Sequence, residues 1–112
     1  MHFWPRLEQR LTEHDRPTAV VAGGFYLALA VMQVIRRLGL TIPRDVSVVG
    51  FDDPPSAPLL DPPLTTVRQP LEEMAARAYQ FVRLALADHV VETLTCRLPA
   101  ELIVRGSTGP AR

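Results

Sequence analysis

Two adjacent carboxylates, Asp52 and Asp53, directly follow the apolar run Val46–Phe51. A short apolar run bounded by turn residues is typical of a strand buried on both faces of a parallel sheet. Ligands of open α/β sheets bind just beyond the carboxyl ends of the strands, where a carboxylate accepts hydrogen bonds from a hydroxylated ligand or pairs with a cation. The pattern favours a ligand-sensing α/β module and makes Asp52 the first candidate for a ligand contact. Aspartate is also favoured in turns, so a structural role for either residue stays open.

A different chemistry for the same pair is magnesium binding, because adjacent acids at a strand end hold Mg²⁺ in receiver-type phosphotransfer domains. That chemistry needs a further acid, and a lysine or threonine on neighbouring strands. The chain contains no lysine, and Thr18 begins its predicted strand instead of ending it. A receiver-type domain that uses Asp52 and Asp53 is therefore kept only as an alternative.

Neither the histidines nor the serines form a catalytic or metal-binding pattern. The three histidines are far apart and lack ligand spacing, and the serines lack the sequence context of a nucleophile elbow. Cys96 is the only cysteine, which excludes an intrachain disulfide and a cysteine-rich metal site. We therefore expect no enzyme activity, no metal and no cofactor.

The composition fits one small globular domain. Of the 112 residues, 47% are hydrophobic, and the formal net charge at pH 7 is zero, whereas nucleic-acid-binding modules usually carry a basic face. No apolar stretch reaches the ~18 residues of a membrane span. The N-terminus lacks the basic-then-apolar pattern of a signal peptide. We expect a cytoplasmic location, no membrane contact, and no DNA binding by this chain alone.

The first half of the chain predicts a βαβ unit preceded by a helix. Pro5–His14 has two leucines four residues apart and a proline at a favoured first-turn position. Thr18–Ala22 is predicted as a short buried strand, Phe25–Leu38 as a helix closed by Gly39, and Val46–Phe51 as the next strand. Strand, helix and strand at this spacing predict a right-handed crossover between parallel strands.

The predicted helix at Phe25–Leu38 is apolar on nearly all sides. The residues expected to face the sheet are Leu27, Ala28, Val31, Val34, Ile35 and Leu38. Leu29 and Met32 lie off that stripe. The remaining polar face is narrow and consists of Gln33, Arg36 and Arg37. Because a helix that is apolar on most sides is buried on most sides, we expect a partner to supply the second covering surface.

The second half predicts an extended segment, an amphipathic helix and closing strands. Leu64–Gln69 is extended, since β-branched residues cluster there and Gln69 precedes a proline. Leu71–Asp88 has an apolar stripe at helical spacing, with acids in the first turn, where the helix dipole favours them. Leu94–Leu98 and Glu101–Val104 are predicted strands. The fold class is therefore α/β, with a mostly parallel sheet flanked by helices.

With these residues in view, the chain resembles the LacI/GalR family of bacterial transcription regulators. The resemblance runs from about Arg16 to Thr108 and lies in the effector-sensing domain, whose fold is that of type I periplasmic binding proteins. The ordered segments that carry it are Arg16–Val20, Ala28–Leu40, Ile42–Asp53, Pro62–Pro70 and Leu98–Thr108. The Pro-Leu-Thr-Thr-Val element at 63–67 points to the regulators instead of the transporters' binding proteins. The resemblance as a whole implies an N-terminal helix and lead-in at 1–16, a sensor portion at 17–108 and a tail at 109–112.

The resemblance also implies an effector site for a sugar or related small metabolite. Its residues in this chain would be Gly24, Phe25, Asp52, Gln69 and Leu71. Asp52 would accept hydrogen bonds from hydroxyl groups, while Phe25 and Leu71 would form apolar walls. The family usually has Asn-Asp where this chain has Gly24-Phe25, so Gly24 would add space and the Phe25 ring would stack on a sugar or base. Asp53 would stay structural.

Only the final third of a regulator is expected here, namely part of the C-terminal lobe, one helix of the N-terminal lobe and the closing strands. The family's dimer surface would fall on Leu29, Gln33, Leu59 and Leu60, for a homodimer or for assembly with a related regulator. Nothing before Pro17 resembles a helix-turn-helix, so DNA contact would come only through a motif outside this chain. Open strand edges and apolar surface predict self-association. An interaction module without ligand binding is the alternative.

Overall fold

The computed structural model describes residues 4–87 and 95–112. Its elements are α1 (Trp4–Thr12), β1 (Ala19–Val21), α2 (Phe25–Arg37), β2 (Ser47–Phe51), a short 3₁₀ helix (Ala57–Leu59), β3 (Thr65–Arg68), α3 (Leu71–Leu86) and β4 (Glu101–Ile103). Within these residues the strands form one four-stranded sheet in the order β1-β2-β3-β4, and β2 is parallel to both β1 and β3. The predicted α/β class and the βαβ unit are therefore confirmed.

The chain divides into two compact units. The first runs to Arg68 and resumes with Leu102–Arg112, so it holds α1, α2, the first three strands and most of β4. The second unit is Gln69–Glu101 and holds α3. None of the described helices is long and apolar enough to cross a membrane.

The core of the first unit lies around α2. Most of the predicted sheet-facing stripe is buried, but Leu27 is 53% exposed and Met32, expected off the stripe, is only 2% exposed. The reason is that α1 packs against α2 and brings Leu11, 1% exposed, into the same apolar cluster. Part of the second covering surface of α2 thus comes from α1, within the chain, while the expected partner stays a prediction.

A glycine in β2 permits close packing between neighbouring elements. A Cβ atom on Gly50 would lie 2.9 Å from Leu64 Cδ2 and 3.3 Å from Ala28 Cβ. The apolar run therefore needs a residue without a side chain here, because α2 and the residue before β3 both approach the strand.

The segment after β4 joins β2 to β3 through one buried hydroxyl. Ser107 Oγ donates to the Val48 carbonyl oxygen at 2.6 Å and accepts from the Thr65 N–H at 2.8 Å. The Val48 N–H in turn donates to the Ser107 carbonyl oxygen at 2.9 Å. Ser107 is fully buried, and both hydrogen-bonding roles of its hydroxyl are used.

Three expectations about strands and helices need correction or completion. β1 was expected to be buried, yet Ala19 is exposed and Val21 is 74% exposed, whereas Val20 between them packs against the core, so the described residues cover only one face of this strand. Residues 95–98 form no strand, since β propensity does not supply a pairing partner, and Leu94 lies outside the described residues. The helix predicted at Leu71–Asp88 is present as Leu71–Leu86, with none of its residues buried, and Asp88 lies outside the described part.

Candidate functional site

Asp52 ends β2 in an unusual backbone conformation. Its φ angle is +72°, in the left-handed region, and the Asp52 residue is exposed. Its N–H donates to the Val67 carbonyl oxygen of β3 at 3.0 Å. Aspartate tolerates the left-handed region better than most residues, but the conformation still carries a local energetic cost that often accompanies functional sites. The first candidate from the sequence therefore lies at the carboxyl end of an inner strand of the sheet.

Gly24 and Phe25 lie where β1 leads into α2. Gly24 is the N-cap of the helix, has ordinary extended backbone, and has no heavy atom within 4 Å of the position a Cβ would take. Phe25 is half-buried against the core, and its ring meets the Tyr26 ring edge to face with 5.7 Å between centroids. Tyr26 is 82% exposed and was not predicted as a site residue. The aromatic pair thus borders open space at the start of α2.

The sheet register brings these residues to one edge of the first unit. Val21 pairs with Val49, and Phe51 pairs with Val67, so β1, β2 and β3 end at neighbouring levels. Because parallel strands present their carboxyl ends at the same edge, Gly24, Phe25 and Asp52 emerge together there. The other two predicted residues belong to the second unit, where Gln69 is half-buried and Leu71 is 66% exposed.

Asp53 has an environment opposite to that of its neighbour. Its side chain is 4% exposed and both carboxylate oxygens accept hydrogen bonds. Oδ1 accepts from Thr66 Oγ1 at 2.9 Å and pairs with Arg105 Nη1 at 2.8 Å. Oδ2 accepts from Arg68 Nε at 2.8 Å and pairs with Nη2 of the same guanidinium at 2.7 Å. This residue has the structural role expected of it.

Charge-assisted hydrogen bonding keeps Asp53 ionised. The hydrogen bond from Arg105 is the largest cause, and it lowers the pKa of the Asp53 carboxyl to about 2, against the opposing effect of burial. Arg68 and Thr66 lower the pKa further. A magnesium ion at the acid pair would have to displace two guanidinium groups, and the described residues contain no cluster of three potential metal ligands. The arrangement does not favour the receiver-type alternative.

Arg68 and Arg105 are the partners that sequence reasoning missed. The contact between Arg68 and Asp53 could have been predicted, because parallel pairing of β2 and β3 places the ends of these strands side by side. The contact between Arg105 and Asp53 could not have been predicted, since the two residues are 52 positions apart in the sequence.

The residues assigned to a dimer surface differ in exposure. Gln33 on α2 is exposed and Leu29 is half-buried. Leu59, on the 3₁₀ helix, is 82% exposed, whereas Leu60 packs partly against the core. Leu59 is therefore the most accessible apolar member of the set.

The chain is similar to transcription regulators along most of its length. The model of the periplasmic binding protein-like domain family matches residues 1–108. The HTH-type transcriptional regulator MalR of Streptomyces coelicolor is 43% identical over 94 residues, which make up 84% of this chain and 27% of that protein. The chain spans 26% to 27% of the length of the first curated relatives it matches.

Solved structures with a similar fold include regulators of the LacI family. A LacI family transcriptional regulator from Lactobacillus casei with bound sucrose has a TM-score of 0.72 and 32% identity, over 90% of this chain and 38% of that one. The lac repressor dimer bound to operator and the anti-inducer ONPF has a TM-score of 0.79 and 30% identity, over 94% of this chain and 32% of that one. The chain therefore belongs to the periplasmic binding protein-like domain family, within which it is a segment of a LacI/GalR-type sensing domain.

Proposed function

We propose that this chain contributes to sensing a small polyhydroxylated effector, of sugar type, in a LacI/GalR-type transcription regulator. The observation that carries the proposal is the contrast at the end of β2. Asp53 is committed to two guanidinium groups, while Asp52 is exposed at positive φ at the edge where ligands of such sheets bind. The Lactobacillus casei regulator with bound sucrose supports a sugar as the effector class.

Each residue of the proposed site has a distinct chemical role. The Asp52 carboxylate accepts hydrogen bonds from ligand hydroxyls, and charge-assisted bonds of this kind are stronger than neutral ones. Gly24 leaves room for the ligand, and the Phe25 ring offers an apolar face for the C–H side of a pyranose.

In a complete regulator, effector binding would shift the equilibrium between arrangements that bind DNA and arrangements that do not. Small-molecule sites usually bury most of the ligand surface. Because this chain offers only part of such a site, we expect its own affinity to be no better than about 1 mM.

Titration of the ¹⁵N-labelled chain with sucrose and a panel of mono- and disaccharides tests the proposal. The amide signals of Gly23–Phe25 and Asp52 should shift and saturate at millimolar ligand. The amide of Asp61, which precedes β3 and so lies toward the opposite sheet edge, should not shift. An absence of saturable shifts with every sugar, or shifts spread evenly over both edges, would contradict the proposal.

Dimerisation is a second proposed function, favoured by the exposed Leu59 side chain. Leu29, Gln33 and Leu60 would complete the surface, and the partner would be a second copy or a related regulator. The dimeric lac repressor supports this assembly. Leu59→Ser should weaken self-association in sedimentation velocity, while Arg44→Ser, at an exposed position outside the proposed surface, should leave it unchanged.

A further inference from the structure

The Asp53 carboxylate connects three separate parts of the first unit. It follows β2, accepts from Thr66 and Arg68 on β3, and pairs with Arg105 in the segment after β4. Arg105 is itself held in place, because its Nη1 also donates to the Leu64 carbonyl oxygen at 2.7 Å and its backbone N–H donates to Thr65 Oγ1 at 2.9 Å. One carboxylate thus links the end of β2 to β3 and to the segment after β4.

The two arginines occupy informative positions in the chain. Arg68 is the last residue of the first unit before the chain enters the second unit at Gln69. Arg105 follows closely after the chain returns to the first unit at Leu102. Both arginines belong to the first unit, and the Asp53 carboxylate holds them beside the end of β2.

The residue before Asp53 is the one in the left-handed conformation. Such a conformation persists in a non-glycine residue only when the surrounding structure determines it strongly. On one side, β2 is hydrogen-bonded in register to β3, and the Asp52 N–H continues that pattern to Val67. On the other side, the chain is fixed by the two ion pairs of Asp53.

We propose that Asp53 is a positioning residue that holds Asp52 in its left-handed conformation and ties this acid to β3 and to the segment after β4. The identification of Asp52 as a ligand contact rests on the proposed function. The positioning itself does not, because it is a property of the protein without ligand.

The test uses Asp53→Asn in the full chain, without ligand. The amide keeps the size of the carboxylate but loses its charge, and its NH₂ group faces a guanidinium that can only donate. The readouts are the Cα and Cβ chemical shifts of Asp52, which report backbone conformation, and hydrogen exchange of the Asp52 and Val48 amides. Asp61→Asn serves as the matched control, since Asp61 is exposed.

Asp53→Asn should move the Asp52 shifts toward those of extended backbone and speed exchange of the Asp52 amide at least tenfold more than that of Val48. A purely structural role would speed exchange of the Val48 amide at least as much as that of the Asp52 amide, through global unfolding, and would leave the Asp52 shifts unchanged. That result would overturn the proposal. If Asp53→Asn does not fold, Arg68→Gln replaces it, because the Arg68 side chain is 51% exposed, and the same readouts decide.

Sugar binding by the variants distinguishes the positioning role of Asp53 from the proposed effector function. With sucrose as the probe, Asp53→Asn should weaken binding about as much as Asp52→Asn, although Asp52 is intact. If the unchanged chain binds neither sucrose nor any other sugar of the panel, the effector proposal fails, while the ligand-free readouts still decide whether Asp53 positions Asp52. Full sucrose affinity in Asp53→Asn would contradict the positioning role.

Discussion

At the scale of single residues, two neighbouring aspartates have taken opposite roles. The Asp53 side chain is nearly inaccessible and its carboxylate pairs with two guanidinium groups, whereas Asp52 is exposed and lies at positive φ. The difference arises just after β2 ends, where Asp53 contacts the guanidinium groups of Arg68 and Arg105. One acid is held by β3 and the segment after β4, and the other is exposed.

The depressed pKa of Asp53 predicts a dependence of stability on pH. The folded pKa, about 2, lies below the unfolded value of 3.8, so the stabilisation is fully present above 3.8 and is lost as the pH falls through 2. The urea midpoint of the chain should therefore decline between pH 4 and 2, whereas Asp53→Asn should start lower and decline less. Parallel curves for the two proteins would show that Asp53 does not carry this effect.

The buried hydroxyl of Ser107 should contribute measurably to stability. Ser107→Ala removes a donor to Val48 and an acceptor for Thr65, which leaves two buried backbone groups unsatisfied. We expect a loss of about 1–3 kcal/mol in the free energy of unfolding, measured by urea titration. The control is Ser56→Ala, since the Ser56 side chain makes no capping hydrogen bond, and it should change stability by less than about 0.5 kcal/mol. Equal losses would refute the role of the Ser107 network.

At the scale of elements, close packing of α2 and the start of β3 on β2 depends on Gly50. A methyl group there would meet Leu64 Cδ2 at 2.9 Å and Ala28 Cβ at 3.3 Å. Gly50→Ala should lower the free energy of unfolding by about 1–3 kcal/mol, the usual cost of overpacking. Gly23→Ala is the control, because nothing lies within 4 Å of its Cβ position. A Gly50→Ala variant as stable as Gly23→Ala would show that the neighbours adjust without cost.

The sequence predicted the elements of this fold better than their surroundings. The period of apolar residues located α2 and α3, and the apolar run before Asp52 located β2, because these are local signals. The burial of Met32 and the exposure of Leu27 depend on where α1 packs, which no local pattern encodes. Local signals likewise located Asp52 at the end of β2. The contact of Asp53 with Arg105 depends on the packing of distant segments, so it could not be predicted.

At the scale of the whole molecule, the exposed apolar surface predicts self-association. None of the residues of α3 is buried, and Leu71, Val82 and Leu86 are more than half exposed, in addition to Leu59 on the 3₁₀ helix. Apolar surface of this kind promotes association in water. Sedimentation velocity should show concentration-dependent dimers or larger species, reduced by Val82→Glu and not by Gln80→Glu on the same helix. A compact monomer at all concentrations would contradict this expectation.

The proposed effector site depends most on Asp52. The direct measurement is the affinity of the best-binding sugar for the unchanged chain, for Asp52→Asn and for Asp61→Asn, by NMR titration at constant pH. Loss of a charged hydrogen-bond acceptor should weaken binding by about 1–3 kcal/mol, roughly five- to 150-fold, in Asp52→Asn. Asp61→Asn should bind as the unchanged chain does. Equal affinity in all three proteins would contradict a ligand contact at Asp52 and leave it as a turn residue that follows β2.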